Sequence, residues 1–405
     1  MDLKLIESLV ERDKTSKIVY LVMDGVGGLP MEAGGPTELE AAHTPNLDAL
    51  AAQSICGLHE PIAPGVIGGS GPSHLGIFGY DPLKYQVGRG VLSALGIDFD
   101  LRKEDVAARG NFCTVDAEGR VTDRRAGRIP SEKNQELLSL LCSKLDIPGV
   151  EVFMDTVKEY RFLLVLRGEG LSGALNETDP LEEGKKPIRP DAVEDTPEAK
   201  RTAEIVREFV RQVGEILADE QPANMVLLRG FSKLPDWPSM ERAFGLKAAA
   251  IAMYPMYRGV SKLIGMHAFP ASHSVEEEFD LLEEQWDNYD FFFVHIKRTD
   301  SAGEDGDFDR KVSLIEEVDT FVPRIRDLKP DVIVVTGDHS TPAKMKYHSW
   351  HPVPTLIWSE ICRPDHVKVF GERACIGGGL GPRIPATHLM PIALANARRL
   401  GKYGA

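Results

Sequence analysis

The sequence predicts an α/β protein: a mostly parallel sheet sandwiched by helices, interrupted by a smaller inserted α+β domain. Short, fully apolar, β-branched runs of strand length read as buried parallel strands. Amphipathic stretches between them read as helices, and strand–helix alternation implies a parallel sheet. From about residue 100 to 240 the texture changes to polar, Pro-broken segments, with strand signals of the first kind on both sides.

In chain order, the predicted strands are KIVYLVM (17–23), DFFFVHI (290–296), DVIVVTG (331–337) and PTLIWS (354–359). Helices are predicted over TPNLDALAAQS (44–54), with Thr44 as N-cap and Pro45 at the first helical position, VEEEFDLLEEQW (275–286) and RKVSLIEEVDTFVPRIRDL (310–328). The middle offers a strand pair, EYRFLLVLRG and NMVLLRG, and a charged loop at 176–201 expected to be exposed and mobile. These readings divide the chain into a discontinuous domain, 1–98 with 240–405, and an insert, 99–239.

Composition narrows the function. The 405 residues carry a net charge of −15, which argues against a nucleic-acid partner, since that needs a basic face. No apolar run approaches the roughly 20 residues of a membrane span, and the polar start is unlike a signal peptide. Five cysteines without a CxxC pair fit a reduced, cytoplasmic chain.

The chemistry gathers at strand ends. Asp24, Asp300 and Asp338 each follow an apolar run, and ligands of open parallel sheets bind beyond the carboxyl ends of strands. An aspartate at one such end is commonly a cap or turn former. Three converging carboxylates stay ionised only beside strong positive charge, which metal ions supply. His339, His348 and His351 follow within 13 residues of Asp338 and add ligands of a second kind. Ser70, between two glycines ahead of a helix-like segment, is the candidate nucleophile. Ser73 is an alternative whose simpler role is capping, and His74 is a candidate ligand or base. Arg124, Arg125 and Arg128 in DRRAGR, with Arg89, Arg229 and Lys297, are candidate anion binders.

Taken together, the motifs MDGVGG, HTPNLDALA, GSGPSHLGIFGYDP, VGRGVLSALG, NFCTVD, DRRAGRI, LLRG, GLKAAAIA, HIKRTDSAGEDGD, GDHSTP and HSWHPVP run in order from residue 23 to 354. In this the chain resembles the cofactor-independent phosphoglycerate mutases of the archaeal type, within the alkaline phosphatase superfamily. The resemblance implies an alkaline-phosphatase-like fold and a cytoplasmic enzyme of glycolysis and gluconeogenesis. It would interconvert 2- and 3-phosphoglycerate through a phosphoserine, without 2,3-bisphosphoglycerate. Asp24, Ser70, Asp338 and His339 would hold one divalent metal, and Asp300, Glu304 and His348 the other, with Mn or Mg ahead of Zn or Co. Three positions depart from the family pattern. Glu304 stands where histidine is typical, and Gly71 and His351 stand where aspartate is frequent.

The resemblance also implies that arginines of the insert hold the substrate phosphate or carboxylate while closure excludes water. A homo-oligomer is compatible with it. The rival readings are another phosphotransferase or phosphatase of the superfamily, homoserine-kinase-like relatives included, and an inactive binding protein. The insert motifs disfavour the former, and the presence of both Ser70 and Asp338 disfavours the latter.

Overall fold

Six consecutive apolar residues make Ile18–Met23 a strand buried at every position, and it lies near the middle of an eight-stranded sheet. From one edge the order is Gly381–Pro385, Ile55–Glu60, Val353–Ser359, Val332–Thr336, Ile18–Met23, Phe291–Ile296, Ala248–Ala252 and His267–Ala268. Ile18 faces Phe291 on one side and Val332 on the other, both in parallel register. Val353–Ser359, expected to be parallel, is antiparallel to both its neighbours. An apolar run reports burial on two faces but not direction.

These features come from a computed structural model that describes residues 2–404. The chain divides into two units: Met1–Gln86 with Trp237–Ala405, and Val87–Asp236. Both boundaries precede those read from composition. The first does so because the helix Arg89–Gly96 packs on strands of the second unit.

In the first unit, one sheet face buries Val19, Leu21, Val294 and Val335 under Phe279 and Leu282 of helix Val275–Glu284 and Ile315 and Val318 of helix Phe308–Asp319. Each such side chain contributes roughly 1.5–3 kcal/mol of burial. The periodic stretch 310–328 forms two helices, Phe308–Asp319 and Val322–Asp327, with Pro323 starting the second. Helix Pro45–Ala51 begins as expected, but Thr44 makes no side-chain cap. Asp319 caps it instead, accepting from the amides of Asn46 and Leu47 at 3.2 and 2.7 Å.

In the second unit, Arg161–Arg167 and Met225–Ser232 do not pair with each other. They flank Val106–Val115 on opposite sides, both antiparallel to it. Helix Pro197–Ile216 starts at Thr196, whose side chain accepts from the Ala199 amide, and lays Ala203, Val206, Phe209 and Val213 on the core. Within the loop expected to be exposed, Thr178 and Asp179 are buried. No described helix is long and apolar enough to cross a membrane.

Candidate metal centre and nucleophile

Parallel pairing sends the segments after Met23, Ile296 and Thr336 out of the same end of the sheet. Asp24 follows Met23 directly, and Asp338 lies two residues beyond Thr336. Asp300 is a correction. It sits not at a strand end but in the first turn of helix Arg298–Asp305, which turns it back toward the other two.

The backbone around Asp24 has little room. Gly25 has φ +64°, and a Cβ at Gly27 would stand 1.9 Å from Ser340 Oγ. At Gly28 it would stand 1.8 Å from Glu38 Oε2. Glycine is required there by space and by conformation.

Two groups of ligand-type side chains result: Asp24, Asp338 and His339, and Asp300, His339 and His348. His339 Nε2 lies 3.1 Å from Asp338 Oδ2, 3.6 Å from Asp24 Oδ1 and 3.1 Å from Ser70 Oγ. Ser70 opens helix Ser70–Ile77, so the nucleophile candidate is tied to the first group. Ser73 caps nothing. Gly69 is the N-cap, and the Ser73 hydroxyl is buried without a hydrogen-bond partner. In the second group, His348 Nε2 lies 3.6 Å from Asp300 Oδ1, and its ring stacks on His339 at 3.7 Å. His348 is oriented through Nδ1, 2.9 Å from the Gly68 carbonyl. Glu304 stands one helical turn past Asp300 at the rim. It is 54% exposed, with Oε1 3.8 Å from His348 Nε2. Partial desolvation and the neighbouring Asp300 raise its carboxyl above the usual range. His351 lies outside both groups, bonded to Ser349 Oγ at 3.0 Å.

The donors to Asp24 were not all legible. Its Oδ2 accepts from the Tyr257 hydroxyl and lies 3.1 Å from Lys297 Nζ and 3.4 Å from His295 Nε2. Burial would raise this carboxyl, but Lys297, His295 and His339 outweigh it and hold it well below the usual range. Lys297, expected to meet an anionic substrate, is an internal cation that also pairs with Asp300. Burial would lower its pKa; Asp24, Tyr257 and Asp300 more than reverse that. Nothing in the sequence marks Tyr257. His295 is visible as one polar residue in an otherwise apolar strand. His74 lies under the site, its Nδ1 2.7 Å from the Ser70 carbonyl and 3.2 Å from Asp338 Oδ2.

Asp24 Oδ1 and Asp338 Oδ2 are fully buried yet receive no well-angled hydrogen bond. Buried carboxylate oxygens left this way fit a cation. Burial depresses the His339 imidazole, keeping it neutral as a ligand must be. The donor set is therefore one that could hold a metal ion.

The insert arginines divide. Arg124 binds buried Asp179 through two hydrogen bonds of 2.9 and 2.7 Å, and Arg229 meets Glu177 at 3.1 Å. Arg125, Arg128 and Arg89 are exposed. The loop bearing the first two is shaped by Asp123, which accepts from the amides of Arg125 and Gly127 at 2.7 and 2.6 Å.

Residues 51–224 match the family described as 2,3-bisphosphoglycerate-independent phosphoglycerate mutase. Over the full length of both chains, the sequence is 49% identical to a probable 2,3-bisphosphoglycerate-independent phosphoglycerate mutase of Thermus thermophilus. The chain belongs to this mutase family. Among solved structures, a Pyrococcus horikoshii protein superposes with a TM-score of 0.81 at 31% identity, covering 97% of this chain and 100% of that one. The cofactor-independent phosphoglycerate mutase of Thermoplasma acidophilum superposes at 0.68 with 29% identity, covering 94% and 100%. The mutase fold is thus the mostly parallel sheet with its helices, as the sequence predicts.

Proposed function

We propose that this chain, an isomerase of the mutase family, interconverts 2- and 3-phosphoglycerate in the cytoplasm through a phosphoserine on Ser70. The observation that carries the reading is the Ser70 hydroxyl, 3.1 Å from His339 Nε2, where Asp24, Asp338 and His339 converge. We assign Asp24, Ser70, Asp338 and His339 to one divalent metal and Asp300, Glu304 and His348 to the other. Four carboxylates against two imidazoles favour Mn or Mg over Zn or Co. When bound, such ions lower the pKa of a hydroxyl and neutralise charge on transferring phosphoryl oxygens.

This chain's residues do the rest. Ser70 Oγ attacks phosphorus as the bond to the glycerate oxygen breaks, the serine loses its proton, and the departing oxygen gains one. Glycerate, retained and turned, then takes the phosphoryl group on its other hydroxyl. Lys297 holds Asp24 and Asp300 at a fixed separation throughout. We assign Arg125 and Arg128, with Arg89, to the anionic groups of the substrate. Arg124 and Arg229, matched by Asp179 and Glu177, organise that surface.

A coupled assay decides the matter. After chelation and re-addition of Mn2+, 3-phosphoglycerate should yield 2-phosphoglycerate without matching release of inorganic phosphate. Phosphate release without 2-phosphoglycerate would make the chain a phosphatase.

A further inference from the structure

Helix Phe308–Asp319 buries Lys311, Ile315, Val318 and Asp319. Lys311 thus occupies a position that helical spacing reserves for an apolar side chain. It is fully buried, and its ammonium donates to the carbonyls of Gly25 at 2.9 Å, Gly27 at 3.2 Å and Thr341 at 2.9 Å. The acid paired with it, Glu38, is 3.8 Å away and already accepts from the amides of Leu29 and Ala343 at 3.1 and 2.7 Å. This is a desolvated charge held chiefly by carbonyls, which is costly unless its three donors meet well-placed oxygens.

Those oxygens belong to the two segments that carry the metal groups. Gly25 follows Asp24, and its amide donates to Asp338 Oδ1 at 3.1 Å. The Thr341 hydroxyl donates to Asp300 Oδ1 at 2.6 Å and lies 3.0 Å from His339 Nδ1. We propose that the Lys311 ammonium is an internal cation that fixes the Asp24–Gly27 segment against the Asp338–Thr341 segment, a positioning residue for both metal groups. Its three hydrogen bonds go to backbone carbonyls. It acts through Gly25 and Thr341, as partners behind a metal's ligands commonly do. The inference rests on the metalloenzyme reading above.

The test is Mn2+ binding to the metal-free protein, followed by titration calorimetry below the unfolding range. Lys311→Met keeps an unbranched side chain of nearly the same length and removes the charge. Its Kd should rise about tenfold to a hundredfold. Arg399→Met removes an equally buried cation whose partners are Ser16, Gly245 and Asp290, and it should bind as wild type does. Wild-type affinity in Lys311→Met, or an equal loss in Arg399→Met, overturns the proposal. Failure of the wild type to bind Mn2+ would instead remove the metalloenzyme reading, and this inference with it. If Lys311→Met does not fold, amide exchange in the wild type decides. Gly25 and Thr341 should be protected equally with and without Mn2+. Protection that appears only with Mn2+ would mean that the ion, and not Lys311, orders the segments.

Discussion

The Nε2 of His339 stands 3.1 Å from the hydroxyl of Ser70, on a ring that is itself fully buried. A hydroxyl placed there can be replaced without disturbing a core, because Ser70 is only part-buried and caps no helix through its side chain. Ser70→Ala should therefore lose mutase activity by at least about a thousandfold while unfolding within about 0.5 kcal/mol of wild type. Steady-state rates and denaturant melts on one preparation check both halves. Retention of full activity would remove Ser70 as nucleophile.

The proposed assignment makes Glu304 the ligand that would set the metal preference. Glu304→His replaces an exposed carboxylate by a neutral, softer donor, so activity should shift toward Zn2+ or Co2+ relative to Mn2+. Rates with each metal after chelation, divided by the Mn2+ rate, give the measure. An unchanged ranking would place Glu304 outside the coordination sphere.

Tyr257 is fully buried, and its phenol donates to the Asp24 carboxylate. Removing a hydrogen bond to a charged group costs about 1.5–3 kcal/mol. Tyr257→Phe should destabilise the metal-free protein by about that amount, read from urea midpoints at constant slope. No change would mean that Lys297 alone suffices to hold Asp24.

The carboxyl of Glu372, in the first turn of helix Glu372–Ile376, is pushed up by burial to about 7. It accepts from the Gly28 amide at 2.8 Å and the Thr37 hydroxyl at 2.6 Å, which only partly offset that cost. The folded state thus holds its proton more tightly than the unfolded chain does. Its contribution to stability is complete below the unfolded pKa of 4.5 and is lost as pH rises through about 7. Allowing for partial exposure, the loss is at most about 2 kcal/mol. Glu372→Gln should flatten the stability curve between those pH values and gain on wild type at pH 8. Chemical melts across that range test the sign.

Much of this was legible in the sequence. The strands Ile18–Met23, Phe291–Ile296 and Val332–Thr336 announce themselves by unbroken apolar runs, and the acids after them point to one end of the sheet. Direction and partnership were not legible. Val353–Ser359 carries the same pattern while running antiparallel, and the alanine-rich strand Ala248–Ala252 has only one β-branched residue, Ile251. The helix start at Pro45 could be read locally, but its cap Asp319 lies far along the chain. Likewise, Lys297 and Arg124 looked free to meet anions because Asp24 and Asp179, which fold against them, lie far along the chain.

The glycines beside Asp24 have a consequence for how such chains are recognised. Side chains at 27 and 28 are excluded by Ser340 and Glu38, atoms with no part in phosphoryl transfer. A descendant that lost Ser70 and its activity would still need those glycines to fold. The glycines of MDGVGG therefore mark the architecture, and a search keyed to them alone would collect dead copies with live ones. The serine between Gly69 and Gly71 separates them.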